Sequence, residues 1–496
     1  MRRECVPMMI TMVLAVGMMG VDVSAEPRLA DAAEHGLWDR ITEMLSEGAD
    51  VNESQADGMT ALHWAVYHDA TDAAKRLLSA GAKANAKNSY GVTAISLAAR
   101  NGNAGLVSAL LEAGGDADAE LTGGETVLMT AARTGLIEPV RLLIESGADP
   151  ESRDRNGQSA IMWAASAGHA GVVQLLIESG ADWERGLDSG FTPLFFAVRE
   201  GRAEAVRVLL DAGADVNDSM RTRRTGGKRP RRGMSPLVLA VENGHFELAV
   251  MLVEAGADVN DQRSGYTALH TLSWVRKPDR GDNPSGDPSP IGSGDMTSLQ
   301  FVRYLAEQGA DMNLPLQRSP EMISRVSQKG ATPFFLAAHT ADAPLMRLLV
   351  ELGADPTLTN AQGTTPAMVC AGVGTPAVGE IAGTEEEVLE AMAYLVSLDV
   401  DLDAVDSNGE TAMHGAAYKN LPRVVEYLSE SGADANVWNR ANGFGWTPLM
   451  IGHGYRHGTN YKPDAATIKA VERVMQHAGI EIPVVPRRIA EDGYEG

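Results

Sequence analysis

A glycine returns along most of this chain at a near-constant interval. Gly58, Gly91, Gly124, Gly157 and Gly190 are separated by four equal steps of 33 residues. Gly233, Gly265, Gly330, Gly363, Gly409 and Gly445 continue the series at steps of 43, 32, 65, 33, 46 and 36. A fixed self-similarity of this kind demands a stack of small units, each too small to bury its own apolar face and each completed by its neighbours. The later steps then mark insertions into a 33-residue unit.

Every unit carries the same chemistry. A Thr- or Ser-led quartet follows each glycine, as in Thr60-Ala-Leu-His63, Thr93-Ala-Ile-Ser96, Ser159-Ala-Ile-Met162 and Thr447-Pro-Leu-Met450. A hydroxyl at a helix start accepts from an orphan backbone N–H, and Pro is tolerated just after it. A short Ala-rich helix, a polar turn and a second helix follow, the last with apolar residues at helical spacing (Val172, Val173, Leu175, Leu176 and Ile177). That helix ends at a glycine suited to a left-handed cap, such as Gly180. A Gly-Ala-Asp-x-Asn/Pro tail, seen at Gly147–Pro150 and Gly213–Asn217, turns the chain toward the next unit.

With its 33-residue period, Thr-Pro-Leu-His-like quartet and Gly-Ala-Asp tail, the chain resembles the ankyrin repeat family over roughly residues 28–482. The resemblance implies an all-α solenoid of about twelve helix-turn-helix units with hairpin-like finger loops. Only Thr60–His63, Thr267–His270 and Thr411–His414 keep the family's histidine, which leaves more of the inter-repeat adhesion to apolar packing. Residues 28–57 lack a quartet and read as an N-terminal cap; 445–485, ending without a Gly-Ala-Asp tail, read as a C-terminal cap. Residues 58–217 are regular, and 218–444 are interrupted by insertions at 218–232, 276–296, 314–329 and 374–386, with a further one from Gly452 to Asp464. Residues 486–496 read as a disordered tail. Insertions in repeat proteins often mark a binding face, and surface loops also tolerate length at little thermodynamic cost.

Residues 1–25 stand apart. Arg2 and Arg3 precede an apolar run from Val6 to Val21, and Val23-Ser24-Ala25 closes it with small residues. This is the layout of a secretory signal cleaved after Ala25, which predicts an exported protein, periplasmic or secreted, of bacterial origin. The run is too short to span a bilayer, so no membrane insertion is expected after cleavage. Cys370 would then be the one remaining cysteine, which excludes an internal disulfide, a cysteine zinc site and an iron–sulfur cluster. The formal net charge of −24 argues against nucleic acid as a partner.

Against that charge, one insertion is strongly basic: Arg221, Arg223, Arg224, Lys228, Arg229, Arg231 and Arg232. In the geometry that the resemblance implies, the residues before the turn glycine of the first helix face a concave groove, and Arg100, Arg133 and Arg199 fall there, with Arg155 on a finger. Together they predict a basic cradle for an acidic protein segment, an anionic glycan or a phosphate-bearing group. The alternative is a solvated loop beside unrelated surface arginines. Tyr67 and Tyr418 also occupy groove-facing positions, whereas Trp64, Trp163 and Phe196 share a register read as core support.

No Ser/His/Asp arrangement, Walker loop, HExxH or dinucleotide fingerprint is present. His453 and His457 are four apart, but Gly452, Gly454 and Gly458 argue against the helix that would align them. The expectation is therefore a non-enzymatic scaffold, without cofactor or metal, that binds a protein partner on the concave face. Two further readings stay open. One is an enzyme or enzyme accessory with a site built from the late insertions (His339, His453, His457), and the other is a secreted effector acting on a host protein.

Overall fold

The computed structural model describes residues 28–221, 232–278, 288–318, 324–456 and 462–486. The signal-like segment and the last ten residues lie outside them, as do Arg223, Arg224, Lys228, Arg229, Arg231 and His457. Contacts divide the chain into two units, up to Arg155 and from Asn156 onward. Both are built from antiparallel helix pairs, and among the described residues β structure is limited to two isolated bridges.

Among the described residues, the first unit holds four pairs, from Leu29–Glu34 with Trp38–Ser46 to Val127–Ala132 with Ile137–Glu145. Its helices start where the sequence provides caps: Thr60, Thr93 and Thr126 each accept the backbone N–H three residues on. Leu62, Ile95, Leu97, Leu128, Leu110 and Leu143 form the apolar seam between pairs. The first pair has no side-chain cap at either helix start.

The tails do more than turn the chain. Asn85 donates through Nδ2 to Gly114 O (2.8 Å) and accepts from Asp116 N (2.8 Å), so one side chain clamps its own tail to the next. The same clamp recurs in the second unit, where Asn313 donates to Gly353 O (3.0 Å) and accepts from Asp355 N (2.7 Å). His63 adds a link from Nε2 to Val92 O at 3.1 Å, and His414 one to Arg440 O at 3.1 Å.

Among the described residues, the second unit holds eight pairs, from Ala160–Ala167 with Ala170–Glu178 to Pro448–Gly452 with Ala465–His477. One additional short helix, Ala435–Trp438, buries Trp438 in the longer finger before Gly445. The described parts of its insertions lie against the stack. Gly292, in the first internal insertion, passes so close to the Gly244–His245 turn that a Cβ would lie 1.8 Å from Gly244 O. Ser293 Oγ meets His245 Nδ1 at 3.0 Å. Where this insertion begins, Arg276 pairs with Asp342 (2.6 Å), and Lys277 donates to Ala341 O (3.2 Å) and Glu387 (2.7 Å). The insertion read as 374–386 gives its last two residues to the helix Glu385–Ser397, because Thr384 and Glu387 form a capping box.

Candidate functional site

The position nine residues after each glycine of the 33-residue series lies within two residues of the end of the first helix, and its fate differs along the chain. In the first unit it carries Tyr67, Arg100 and Arg133, all exposed, with Tyr67 at 41%. The Arg100 guanidinium sits 5.6 Å from the centre of the Tyr67 ring, and Trp64 meets the same ring edge-on at 5.5 Å. Trp64 itself is half-buried and donates to Gln55 Oε1 (2.8 Å), which fits the supporting role read from its register. Arg133 lies 3.8 Å from Glu125. Arg155 is exposed on its finger, its backbone N–H given to Gly123 O.

In the second unit, Arg199 stacks at 5.2 Å over both Phe191 and Phe196 and pairs with Glu200 at 2.8 Å. Arg221 approaches Asp218 at 3.7 Å, and Arg232 is exposed. The expected cradle is thus divided: Arg100, Arg133 and Arg155 belong to one unit and Arg199, Arg221 and Arg232 to the other. Three of these arginines already face a carboxylate, which lowers the positive potential each contributes.

Tyr418 departs from the expectation that it would face the groove as Tyr67 does. It occupies the same register but is 7% exposed, packed with Ile451 and Trp446 of the following repeat, and the described parts of the late insertions approach the same end of the helix. The backbone of Arg325, in one insertion, donates to Gly374 O (2.8 Å) in the next. Arg456, in the last, donates to Tyr418 O (3.0 Å) and Asn420 Oδ1 (2.8 Å). Gly415 permits this crowding, since a Cβ there would meet Val373 N at 2.6 Å. The result is a cleft of about 360 Å³ whose walls come from Arg325, Val326, Val373, Gly374 and Thr375. Finger residues Gln362 and Asn408 also line it. Glu410, Tyr418 and Arg456 lie at its buried end, and Phe444, half-exposed, at its mouth.

Glu410 dominates the inner end chemically. Its Oε1 accepts from Tyr418 Oη (3.1 Å) and Asn442 Nδ2 (2.8 Å), while Oε2 is buried with no hydrogen-bond partner. Burial, with Asp406 nearby, pushes its carboxyl up to about 7 despite those two donors. Burial likewise drives the Tyr418 phenol upward and the Arg456 guanidinium downward.

His339 shares the register of Tyr67 and Tyr418 but is 2% exposed, does not line the cleft, and has no hydrogen bond at either nitrogen. Burial lowers it to about 4, so it is neutral near pH 7. His453 follows the end of the helix Pro448–Gly452. Cys370 is buried, its thiol pushed up to about 12 by desolvation, which makes it a poor nucleophile. Among the described residues, no group of three His, Cys, Asp or Glu is placed to hold a metal. No helix there is long and apolar enough to cross a membrane.

Sequence reasoning missed Glu410, Thr375, Asn442 and Arg456. One signal was available for the first. The residue after the turn glycine is apolar in most units (Met59, Val92, Phe191, Met234, Tyr266), and Glu410 stands in that place.

These repeated capped pairs, clamped tail to tail, define an all-α repeat solenoid. Ankyrin repeat models match residues 29–122, 70–154 and 128–220 (three-copy form), 232–263 and 329–361 (single repeat) and 384–428 (many-copy form), together more than half of the sequence. The chain belongs to the ankyrin repeat family. Among curated proteins it is similar to the palmitoyltransferase AKR1 of Lachancea kluyveri, 27% identical over 179 residues, which is 36% of this chain and 19% of that protein. It is also similar to the glycerophosphocholine phosphodiesterase GDE1 of Candida albicans, 35% identical over 65 residues, or 13% and 5% of the two chains. The chain therefore spans no more than about a fifth of either relative. The ankyrin repeat domain of human ASB11 matches with a TM-score of 0.40 and 25% identity, over 46% of this chain and 98% of that one.

Proposed function

We propose that the protein is an exported, non-enzymatic scaffold that grips a protein partner on the concave face of its repeats. Ankyrin repeats generally bind proteins, and one observation carries the reading to particular residues. Three successive repeats of the first unit expose the same register position as Tyr67, Arg100 and Arg133, with Arg100 held against the Tyr67 ring. Tyr and Arg are the side chains that most often anchor interfaces, and repeat spacing lets one extended partner segment meet them in turn.

Export is inferred from residues 1–25, and fractionation of the producing cell tests it. An acidic partner segment is what the 218–232 insertion would favour through its arginines and lysine. The central experiment is a cross-linking pull-down with the tagged protein from an envelope fraction, beside a Tyr67→Ala/Arg100→Ala variant and one with the 221–232 arginines reversed. A partner kept by the native chain and lost by the first variant supports the reading. The same partner on all three chains removes both surfaces from it. Recovery only from a foreign host cell would instead favour an effector.

A further inference from the structure

The late cleft has a specific deficit. Glu410 Oε2 and Thr375 Oγ1 both border it and are both buried without a hydrogen-bond partner, in residues only 5% and 6% exposed. An unpaired buried polar atom destabilises the fold that holds it, and native proteins keep few of them. Two on a single cleft point to a ligand that completes them.

The surroundings specify what is missing. Tyr418 gives its hydroxyl proton to Oε1, Asn442 divides its Nδ2 donors between Oε1 and Tyr418 Oη, and Arg456 gives its terminal nitrogens to Tyr418 O and Asn420 Oδ1. The group absent from the inner end is thus a donor facing the carboxylate. A charged donor is favoured over a neutral one, because Asp406 lies close to Glu410 and the chain carries a net −24. The other cation of the lining, Arg325, is exposed and therefore screened by solvent. At the mouth, the half-exposed Phe444 ring lies 5.1 Å from Trp446 at an interplanar angle of 31°, which offers an aromatic face to a passing cation. The volume of about 360 Å³ accommodates one long side chain with the backbone that bears it.

We infer that the late cleft receives a lysine or arginine side chain of the protein partner, its nitrogen donating to the Glu410 carboxylate. This rests on the scaffold reading above and adds to it a second, charge-specific anchor.

The probes are Nα-acetyl-lysine methylamide, its arginine counterpart, and the neutral norleucine and citrulline analogues, titrated into the full chain by equilibrium dialysis. At least one cationic probe should bind about tenfold or more tightly than its neutral analogue, the discrimination expected of a charge-assisted hydrogen bond. Glu410→Gln should erase that preference without lowering the melting temperature, since the amide oxygen still accepts from Tyr418 and Asn442 and a buried charge is removed. Phe444→Ala, at the exposed mouth, should weaken the cationic probes alone by about threefold; it supplies the test if Glu410→Gln fails to fold. Equal binding of the neutral probes, or unchanged discrimination in Glu410→Gln, would overturn the inference. Pull-down separates it from the reading beneath it. A partner held equally by native and Glu410→Gln protein removes the cleft and leaves the scaffold. Lysine binding with no protein recovered removes the scaffold, and with it the partner as source of the cation.

Discussion

One register position reads differently in the early repeats of the first unit and the late repeats of the second. Tyr67, Arg100 and Arg133 are open to solvent, whereas Trp274, His339 and Tyr418, nine residues after their own turn glycines, are 7%, 2% and 7% exposed. Helix caps and Asn clamps occur in both regions, so the presence of the backbone unit is not the cause. The difference comes from the insertions, which in the late repeats lie back across the first-helix ends. An inserted loop here converts a shared groove position from surface into interior. Polar groups admitted with it then need partners, and Glu410 and Thr375 have too few.

The largest test of this contrast is Arg276→Ala. It would strand the Asp342 carboxylate, whose side chain is 1% exposed, and should destabilise the second unit by about 3–5 kcal/mol. Removing Arg303 from its exposed pair with Glu351 should cost far less, because solvent screens that pair, and urea unfolding of both variants measures the ratio. A comparable loss in the two would mean that the insertion contact is as superficial as a surface pair.

Acid should separate the regions next. His270, His339 and His414 are held by burial at about 4, below their ordinary 6.5. Between those values the unfolded chain binds the extra protons, so stability is complete above pH 6.5 and falls as pH drops toward 4. Each histidine contributes up to roughly 3 kcal/mol to that fall. Glu410, raised from 4.5 to about 7, opposes it, since its contribution is present below 4.5 and is lost as pH rises to 7. His339→Leu should flatten the acid limb of melting temperature against pH. An unchanged limb would place the proton uptake elsewhere.

A smaller pair of effects should be equal. Asn85→Ala and Asn313→Ala each delete a two-bond clamp and should each cost about 1–2 kcal/mol by denaturant titration. Unequal losses would mean that the repeat unit itself differs between regions. Smallest of all, Arg133→Ala should change stability by less than about 0.5 kcal/mol, because its Glu125 partner stays partly solvated; any larger effect belongs to partner affinity.

The architecture was legible because 33-residue spacing, hydroxyl caps and tail glycines are local signals. Thr60 accepts from His63 N as its quartet implies. The clamp by Asn85 was not, since its partner Gly114 belongs to the following repeat and the tail reads simply as a turn. Tyr418 misled for a related reason: its register matches Tyr67, but its burial depends on Ile451 and Trp446, which pack against it from the following repeat, and on Arg456, which bonds its carbonyl. The arginines were found by charge alone, without weighing the carboxylates beside them: Glu200 and Asp218 are near neighbours of Arg199 and Arg221 in sequence, whereas Glu125 reaches Arg133 only through the fold.

Lys277 holds a further consequence. It belongs to the repeat that opens at Gly265, yet it bonds Glu387 in the repeat that opens at Gly363, with the Gly330 repeat lying between and touched at Ala341 O. A stack joined only between adjacent units can be peeled from an end one unit at a time. A strap that skips a unit forbids that order over its span: none of the three repeats can fray alone without also releasing Lys277. Under force or denaturant, the stretch from Gly265 to the helix ending at Ser397 should therefore yield in one step rather than three.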